Sequence, residues 1–348
     1  MVLAATSLPA NPFSPSRELE AHSAYERCLR LESLNPAATA EHTICARILG
    51  YLLDHAKRTD KVEAIRNMWE DINECTTDEQ VVALGVYYRT YLLQTFLRAD
   101  LRSPQPSYHS SDQEFAHDLD AGPYHTAVAT RQLDHRTAQK HAFQRDGHTC
   151  MLTATQATSL IDEHPEKWNG GRTEYLHAVH IIPESINANL AHDRDSIRRV
   201  ISMFGDPEMP QELEGSNIHR LENVMTLSGT AHGKWGGLRL WLEPMPDEQK
   251  YKVEWARIFD VSPEVPTEIS FTQAPSTADL ALPLPDRRYL ALRAMVARVA
   301  HLSGAERWIR NYYERVQDTY VLSSGGSVDD AELLSTRLKL AALRPVCE

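Results

Sequence analysis

The segment Glu174–Pro244 constrains the fold more than any other part of the chain. It contains short apolar runs, and three polar residues stand out against them. His180 follows the first run, Asn223 opens the run Val-Met-Thr-Leu, and His232 comes just after that run. Short apolar runs bounded by turn signals are typical of β-strands, whereas the rest of the chain has helical spacing. The segment therefore predicts a small β-rich centre in a mainly helical protein.

The first run predicts a strand that carries histidines on both of its faces. In a strand, Leu176, Ala178 and His180 share one face, because successive side chains point in opposite directions. His177 lies on the other face, so the spacing alone does not pair it with His180. Pro183 ends the strand, because proline cannot donate a hydrogen bond to a neighbouring strand.

The second half of the segment predicts a strand, a short helical turn and a β-hairpin. Ser228 is a typical N-cap for a turn that carries His232. Residues 238–244 and 251–259 both alternate between apolar and polar residues, with a polar turn between them. This pattern predicts a hairpin.

The spacing of apolar residues at both ends of the chain predicts helices. The fold class expected is α+β and mainly helical. Of the 348 residues, we expect the following divisions: a disordered tail over 1–15, an N-terminal helical region over 16–101, a linker over 102–125, a core over 126–262, a proline-rich connector over 263–285 and C-terminal helices over 286–348.

The order of His180, Asn223 and His232, with the flanking sequences Ala-Val-His-Ile-Ile-Pro and Asn-Val-Met-Thr-Leu, resembles the HNH endonuclease family. The sequence Leu-Arg-Leu-Trp at 238–241 is closer to the fungal type of that family. The resemblance covers roughly residues 136–313. It implies a central ββα-metal core, in which a two-stranded ribbon and one helix hold a divalent metal ion. The alternation and the helical spacing described above add a β-hairpin and flanking N-terminal and C-terminal helices around this core.

The resemblance assigns a role to each of the three residues. His180 is the general base, since an imidazole with a pKa near neutrality can accept a proton from water. Asn223 positions the base or its loop, and His232 is a metal ligand. Together they imply metal-dependent hydrolysis of the phosphodiester bonds of DNA.

The metal ligands are only partly assigned by the resemblance. Val179 and Gly236 occupy two positions where many family members carry a ligand. A divalent ion such as Mg²⁺, Mn²⁺, Ni²⁺ or Zn²⁺ prefers several oxygen or nitrogen ligands. Folding would then have to recruit further ligands from four residues: His177, Glu184, Glu222 and His219. Of these, Glu222 and His177 are the candidates for additional metal ligands beside His232.

Net charge leaves a second class of function open. The formal net charge is −12, which is unfavourable for a protein that must hold phosphates. Arg194, Arg198 and Arg199 form one basic patch that could contact nucleic acid. The alternative is an HNH-fold protein that is repurposed, either as a small-molecule isomerase, lyase or cyclase or as a non-catalytic interaction protein.

Cysteine usage and hydropathy indicate an intracellular protein, in the cytoplasm or nucleus. The five cysteines contain no CxxC pair, so no structural zinc site is indicated. No apolar run reaches the roughly 18 residues of a membrane span. The N-terminal residues lack the basic and apolar regions of a signal peptide. The sequence does not specify an oligomeric state.

Overall fold

The computed structural model describes residues 5–34, 41–97, 133–187, 191–275 and 282–318. These residues are mostly helical, with small sheets, as the α+β prediction expected. They divide into two compact units. The described parts of the first, called the site unit, are 133–184, 208–275 and 282–294. Those of the second, the helical unit, are 5–34, 41–97, 185–187, 191–207 and 295–318.

The α-helices are numbered here in chain order among the described residues. They are α1 Leu19–Leu34, α2 Glu41–Arg58, α3 Val62–Glu74, α4 Asp78–Tyr88, α5 His135–Arg145, α6 Thr158–Glu163, α7 Ala191–Phe204, α8 Met209–Glu212, α9 Gly229–Gly236, α10 Arg287–Ser303 and α11 Ala305–Asp318. A π-helical turn, Arg89–Leu93, continues α4. Short 3-10 turns cover Pro165–Lys167, Glu184–Asn187, Gly215–His219, Leu221–Asn223 and Ile258–Asp260.

The helical unit is organised around α2. Ile44, Ile48 and Leu52 are almost completely buried, in agreement with their helical spacing, and α1, α3 and α4 contact this helix. α4 begins at a capping box, in which the Thr77 hydroxyl accepts from the Gln80 backbone N–H and the Gln80 side chain accepts from the Thr77 N–H. The sequence also predicts a cap at Thr77, because threonine commonly caps helices, and the structure confirms it.

The structure differs from the prediction of a disordered tail over residues 1–15. Leu8 and Phe13 are buried in the helical unit. The backbone N–H of Thr6 donates to the Leu302 carbonyl at 3.0 Å, and that of Leu8 donates to the Glu32 carboxylate at 3.1 Å. The content of Pro, Ser and Ala suggested disorder, but two apolar side chains and paired backbone groups hold residues 5–15 in place.

The strands form three small sheets. In chain order they are β1 Gln156–Ala157, β2 Thr173–Glu174, β3 Leu176–His180, β4 Val224–Ser228, β5 Leu240–Pro244, β6 Lys250–Trp255 and β7 Glu268–Ser270. β1 and β2 pair in parallel, β3 and β4 pair antiparallel, and β5, β6 and β7 form an antiparallel sheet in that order. The predicted strands at 176–180 and 224–227 and the predicted hairpin are confirmed.

The segment Cys150–Thr153 is a turn, whereas its sequence predicts a strand. Ala154 has a positive φ of 57°, and its N–H donates to the Cys150 carbonyl, which closes the turn. Cys150 is nevertheless buried, as expected of a core residue.

Three sequence predictions fall on parts of the chain that the structure leaves undescribed. The predicted linker 102–125 and the last predicted helix, 329–343, lie outside the described residues. The helix predicted over 127–145 is described from His135 to Arg145. The sequence boundaries of the domains stay a prediction.

In the site unit, α5 packs on the β3–β4 pair through a small apolar cluster. Ala138 and Ala142 of α5 lie with Ala178 of β3 and Val224 of β4 in this cluster. Arg145, at the end of α5, is fully buried and donates to the carbonyls of Leu221 and Val224 at 2.8 Å each. The helix is therefore fixed to the start of β4, which determines where its first residue, His135, can lie.

Candidate functional site

The site is built on β3, β4 and the helix α9 that follows them. His180 is the last residue of β3 and pairs with Val224, the first residue of β4. Asn223 directly precedes β4, and His232 lies on α9. The Ser228 hydroxyl accepts from the Ala231 N–H at 3.4 Å, so the N-cap predicted for this helix is confirmed.

Asn223 holds two loops together through its side chain. The residue is fully buried, and its Oδ1 accepts from the Ile182 N–H at 2.8 Å. Its Nδ2 donates to the carbonyls of Ile182 and Ile218, at 2.9 Å each. Ile182 lies just beyond His180, and Ile218 directly precedes His219. The asparagine thus fixes the backbone beside two histidines that are far apart in sequence.

Those two histidines are in direct contact. His180 Nε2 lies 3.1 Å from His219 Nδ1, a distance at which one imidazole donates to the other. Glu184 approaches both rings: its Oε1 lies 3.5 Å from His180 Nδ1 and 3.9 Å from His219 Nδ1. Glu184 comes after the Pro183 turn, which directs the chain back toward the end of β3.

His135 completes a cluster of four residues, which we call the four-donor cluster: His135, His180, Glu184 and His219. The His135 ring centroid lies 5.5 Å from that of His180 and 6.1 Å from that of His219. His135 is the first residue of α5, whose N-cap Asp134 accepts from the Thr137 N–H. Because His135 is the exposed member, the cluster is open to solvent on its side.

The donor atoms of the four-donor cluster suit a divalent metal ion. One nitrogen or oxygen from each residue lies within 4.8 Å of the others. Imidazole nitrogens favour ions such as Zn²⁺ or Ni²⁺, and a carboxylate oxygen also suits Mn²⁺. The ligand types therefore fit a metal centre, while the identity of the ion is left open.

Burial and neighbouring histidines lower the pKa of two members of this cluster, His180 and His219. The pKa of His180 lies well below its ordinary value because the ring is buried and because His135 and His219 are near. Burial also lowers the pKa of His219, although Glu184 opposes this shift. A neutral imidazole keeps a lone pair, which it needs either to bind a metal or to accept a proton.

His177 and His232 form a second pair of histidines. Their ring centroids lie 5.1 Å apart, with an angle of 41° between the planes. Burial, followed by the proximity of His177, lowers the pKa of His232 to about 4. His177 and His180 are separated by an odd number of positions in a regular strand, which places them on opposite faces of β3.

Arg293 connects the elements that carry the two groups of histidines. It is buried, donates to the Ile181 carbonyl at 2.9 Å, and also donates to the Trp235 carbonyl on α9. Its guanidinium lies 4.4 Å from the centre of the Trp235 ring. The indole N–H of Trp235 in turn donates to the His180 carbonyl at 3.4 Å. These contacts fix α9 against the end of β3.

The other predicted residues lie in different surroundings. Glu222 forms an ion pair with Arg220 at 2.8 Å. Arg194, Arg198 and Arg199 lie on α7 in the helical unit, and Arg199 donates two hydrogen bonds to Asp71. Their roles as metal ligand and nucleic-acid contacts stay predictions.

The sequence identified three members of the four-donor cluster as candidates but missed His135. Glu184 and His219 stood among the residues that folding would have to recruit, and His180 was the predicted base. His135 lies well upstream of β3, at the start of a helix. Asp134 before it is a residue type that commonly begins helices, but this signal indicates the helix start and not a site.

Comparison with known proteins agrees with the resemblance seen in the sequence. Residues 150–241 match the family model described as HNH endonuclease, HNH_2, so this part of the chain is similar to HNH endonucleases. The match includes His180, Asn223 and His232. No curated protein and no solved structure gave a match. The assignment to the fungal type stays a prediction.

None of the described helices is both long enough and apolar enough to cross a membrane.

Proposed function

We propose that the chain is a metal-dependent HNH-type endonuclease that hydrolyses phosphodiester bonds of nucleic acid. The observation that carries the proposal is the four-donor cluster at the end of β3. Three of its members, His180, Glu184 and His219, lie within the region that matches the family model, and His135 lies before that region. The antiparallel β3–β4 pair followed directly by α9 has the order of elements of a ββα-metal core. We therefore assign these three elements to that core.

Within the four-donor cluster we assign the metal to three residues, His135, Glu184 and His219. Catalytic metal sites commonly use three protein ligands and keep a position open for water or substrate. A divalent ion bound there would stabilise the negative charge that develops on the phosphate during hydrolysis. The exposed position of His135 leaves that side accessible to a nucleic-acid strand.

His180 remains our general base. Its ring is neutral, because burial and the neighbouring histidines depress its pKa, so it can accept a proton from an attacking water. The negative phosphate of the substrate would offset the penalty of forming an imidazolium in this buried position. Asn223 acts as a positioning residue, since its three hydrogen bonds fix the backbone beside His180 and His219.

The resemblance offers a different ligand set, in which His232 holds the metal. His232 and its neighbour His177 supply two nitrogen donors. Among the described residues, however, only the four-donor cluster brings three or more possible metal ligands together, and it does not include His232. We therefore keep His232 as the alternative ligand, to be separated from our assignment by experiment.

The experiment is plasmid cleavage by purified protein in Mg²⁺, Mn²⁺, Ni²⁺ or Zn²⁺, with metal content measured on the same preparation. We expect EDTA to stop cleavage and His219→Ala to lose both metal and activity. His180→Ala should retain metal but lose cleavage. If His180→Ala also loses metal, the residue is a ligand instead of the base.

The repurposed alternative predicts a different outcome. Its support is the net charge of −12 and the presence of Val179 and Gly236 at usual ligand positions. A protein that binds metal but neither binds nor cuts DNA or RNA under any of these conditions would contradict the nuclease proposal. Such a result would favour a small-molecule substrate or an interaction partner.

A further inference from the structure

The segment Arg257–Val261, between β6 and β7, is fixed at its base by one enclosed carboxylate. Asp260 is 4% exposed, and its Oδ1 accepts from Lys234 Nζ at 2.8 Å. Its Oδ2 accepts from Arg257 Nε at 2.9 Å, and Arg239 Nη1 lies 3.8 Å from Oδ1. Burial alone would raise the pKa of Asp260, but hydrogen bonds from Arg257 and Lys234 hold it below its ordinary value.

The cations around Asp260 are more exposed than the carboxylate that they share. The side chain of Arg257 is 56% exposed, compared with 26% for Arg239 and 25% for Lys234. The carboxylate is therefore almost hidden from solvent, whereas parts of all three cationic side chains are exposed to solvent. This arrangement presents positive charge at the surface of a chain whose net charge is negative.

An apolar tip projects beside these cations. Phe259 is 93% exposed, Ile258 is 64% exposed and Val261 is 50% exposed. Among the large apolar side chains of the described residues, Phe259 has the highest exposed fraction. A compact exposed group of this kind commonly marks a binding surface, since an isolated fold gains nothing by placing a phenyl ring in water.

The segment is linked to the helix of the proposed active centre. Lys234, which bonds to Asp260, lies on α9, the helix that carries His232. Arg239 donates to the carbonyl of Gly233 on the same helix at 3.0 Å. These bonds hold the exposed ring and the cations to the elements that we assign to the core, within one compact unit.

We propose that the segment Arg257–Val261 is a nucleic-acid contact in which Phe259 stacks on an unstacked base while Arg257, Lys234 and Arg239 contact phosphates. The inference rests on the proposed function and adds the surface that holds the substrate. Aromatic rings beside a cationic groove are how many proteins hold unpaired bases, because every base offers a face for stacking. Anionic lipid surfaces also attract cations beside exposed apolar side chains, so the test separates vesicle binding from DNA binding.

The test measures binding of fluorescein-labelled single-stranded and duplex DNA by anisotropy in EDTA, where cleavage cannot contribute. Phe259→Ala should weaken binding of single-stranded DNA roughly tenfold, because stacking on one base commonly contributes about that much. Phe259→Tyr should restore affinity to within about twofold, since it keeps an aromatic face. Trp168→Ala is the matched control, because Trp168 is also an exposed aromatic residue of this unit, and it should bind as the wild type does.

Two further readouts separate stacking from a general loss of charge. A strand with 2-aminopurine should change its fluorescence on binding wild type but not on binding Phe259→Ala at saturation. The slope of log affinity against log salt concentration reports how many phosphates the protein contacts. Arg257→Gln should reduce this slope by about one contact, whereas Phe259→Ala should leave it unchanged.

Several outcomes would overturn the inference. Wild type that cuts DNA while Phe259→Ala binds equally well would reject this surface and leave the nuclease proposal intact. Equal losses for Phe259→Ala and Trp168→Ala would also reject it, as would a requirement for Phe259 in binding anionic vesicles but not DNA. Protein that binds DNA through Phe259 but cuts nothing with any metal would support the surface and reject the nuclease.

Discussion

The two groups of histidines around β3 differ in composition, although one short strand supplies a member to each. The four-donor cluster contains three imidazoles and a carboxylate, and it is open at His135. The pair His177 and His232 contains imidazoles alone, and burial lowers the pKa of His232 to about 4. A hard or borderline divalent ion prefers the mixed nitrogen and oxygen set. The mixed donor set therefore lies at the four-donor cluster, whereas His232, the ligand that the sequence motif implies, lies in the pair made of imidazoles alone.

The largest expected effect separates His180 from His177. Removal of a general base commonly costs 10²- to 10⁴-fold in rate, so His180→Ala should lower plasmid cleavage by about that much. His177→Ala is the matched variant from the same strand, and its cleavage rate should fall less than about tenfold. Circular dichroism of both variants would show whether they fold. Equal losses in the two variants would end the distinction between the two groups.

Asn223→Ala should have the next largest effect, on stability as well as activity. The substitution removes three buried hydrogen bonds and leaves backbone groups of Ile182 and Ile218 without them. Leaving buried polar groups unpaired costs about 1–3 kcal/mol each, and we expect a total of about 3 kcal/mol. Urea unfolding of the metal-free protein measures this loss.

Asn223→Asp provides the control for that substitution. It keeps the oxygen that accepts from Ile182 but removes the Nδ2 donor, so it should be destabilised and should also move His180 and His219. If the urea midpoint of unfolding is the same for Asn223→Ala as for wild type, the asparagine does not hold the two loops together.

The histidine pair should make the stability of the metal-free protein depend on pH. The pKa of His232 is about 4 in the folded state and its ordinary value is 6.5, so the unfolded chain binds the proton more readily. This lowered pKa means that the free energy of unfolding falls as the pH decreases from about 6.5 toward 4. The contribution of His232 is on the order of 1 kcal/mol at pH 5.5.

Urea unfolding in EDTA at pH 7.5 and pH 5.5 tests this sign. His232→Asn should show a smaller difference between the two pH values than wild type does. His55 of the helical unit, whose pKa burial lowers to about 3, provides a reference, because His55→Asn should flatten the profile in a similar way. An unchanged profile in His232→Asn would show that this ring is not titrated on unfolding.

The remaining prediction concerns His135, the exposed member of the four-donor cluster. His135→Ala removes one of the proposed ligands but leaves His219 and Glu184 in place. Loss of one exposed ligand should weaken metal binding by at least about tenfold, or roughly 1.4 kcal/mol. Calorimetric titration of Zn²⁺ or Mn²⁺ into metal-free protein measures the change, with Arg136→Ala as a neighbouring control. Unchanged affinity would remove His135 from the site.

Much of the local structure could be predicted from the sequence. Alternation around His180 and the apolar run after Asn223 predicted β3 and β4, and Ser228 predicted the start of α9. These features depend on residues that are close together in the chain, where backbone preferences and side-chain periodicity act directly. The order His180, Asn223, His232 likewise indicated the family before any contact was known.

What only the tertiary structure decided is which side chains meet. His135 reaches the end of β3 because α5 packs on the β3–β4 pair through Ala138 and Ala142 and because buried Arg145 fixes the end of α5. His219 reaches His180 because Asn223 bonds to both Ile182 and Ile218. Both placements depend on burial and hydrogen bonds between residues far apart in sequence, and no local pattern encodes such contacts.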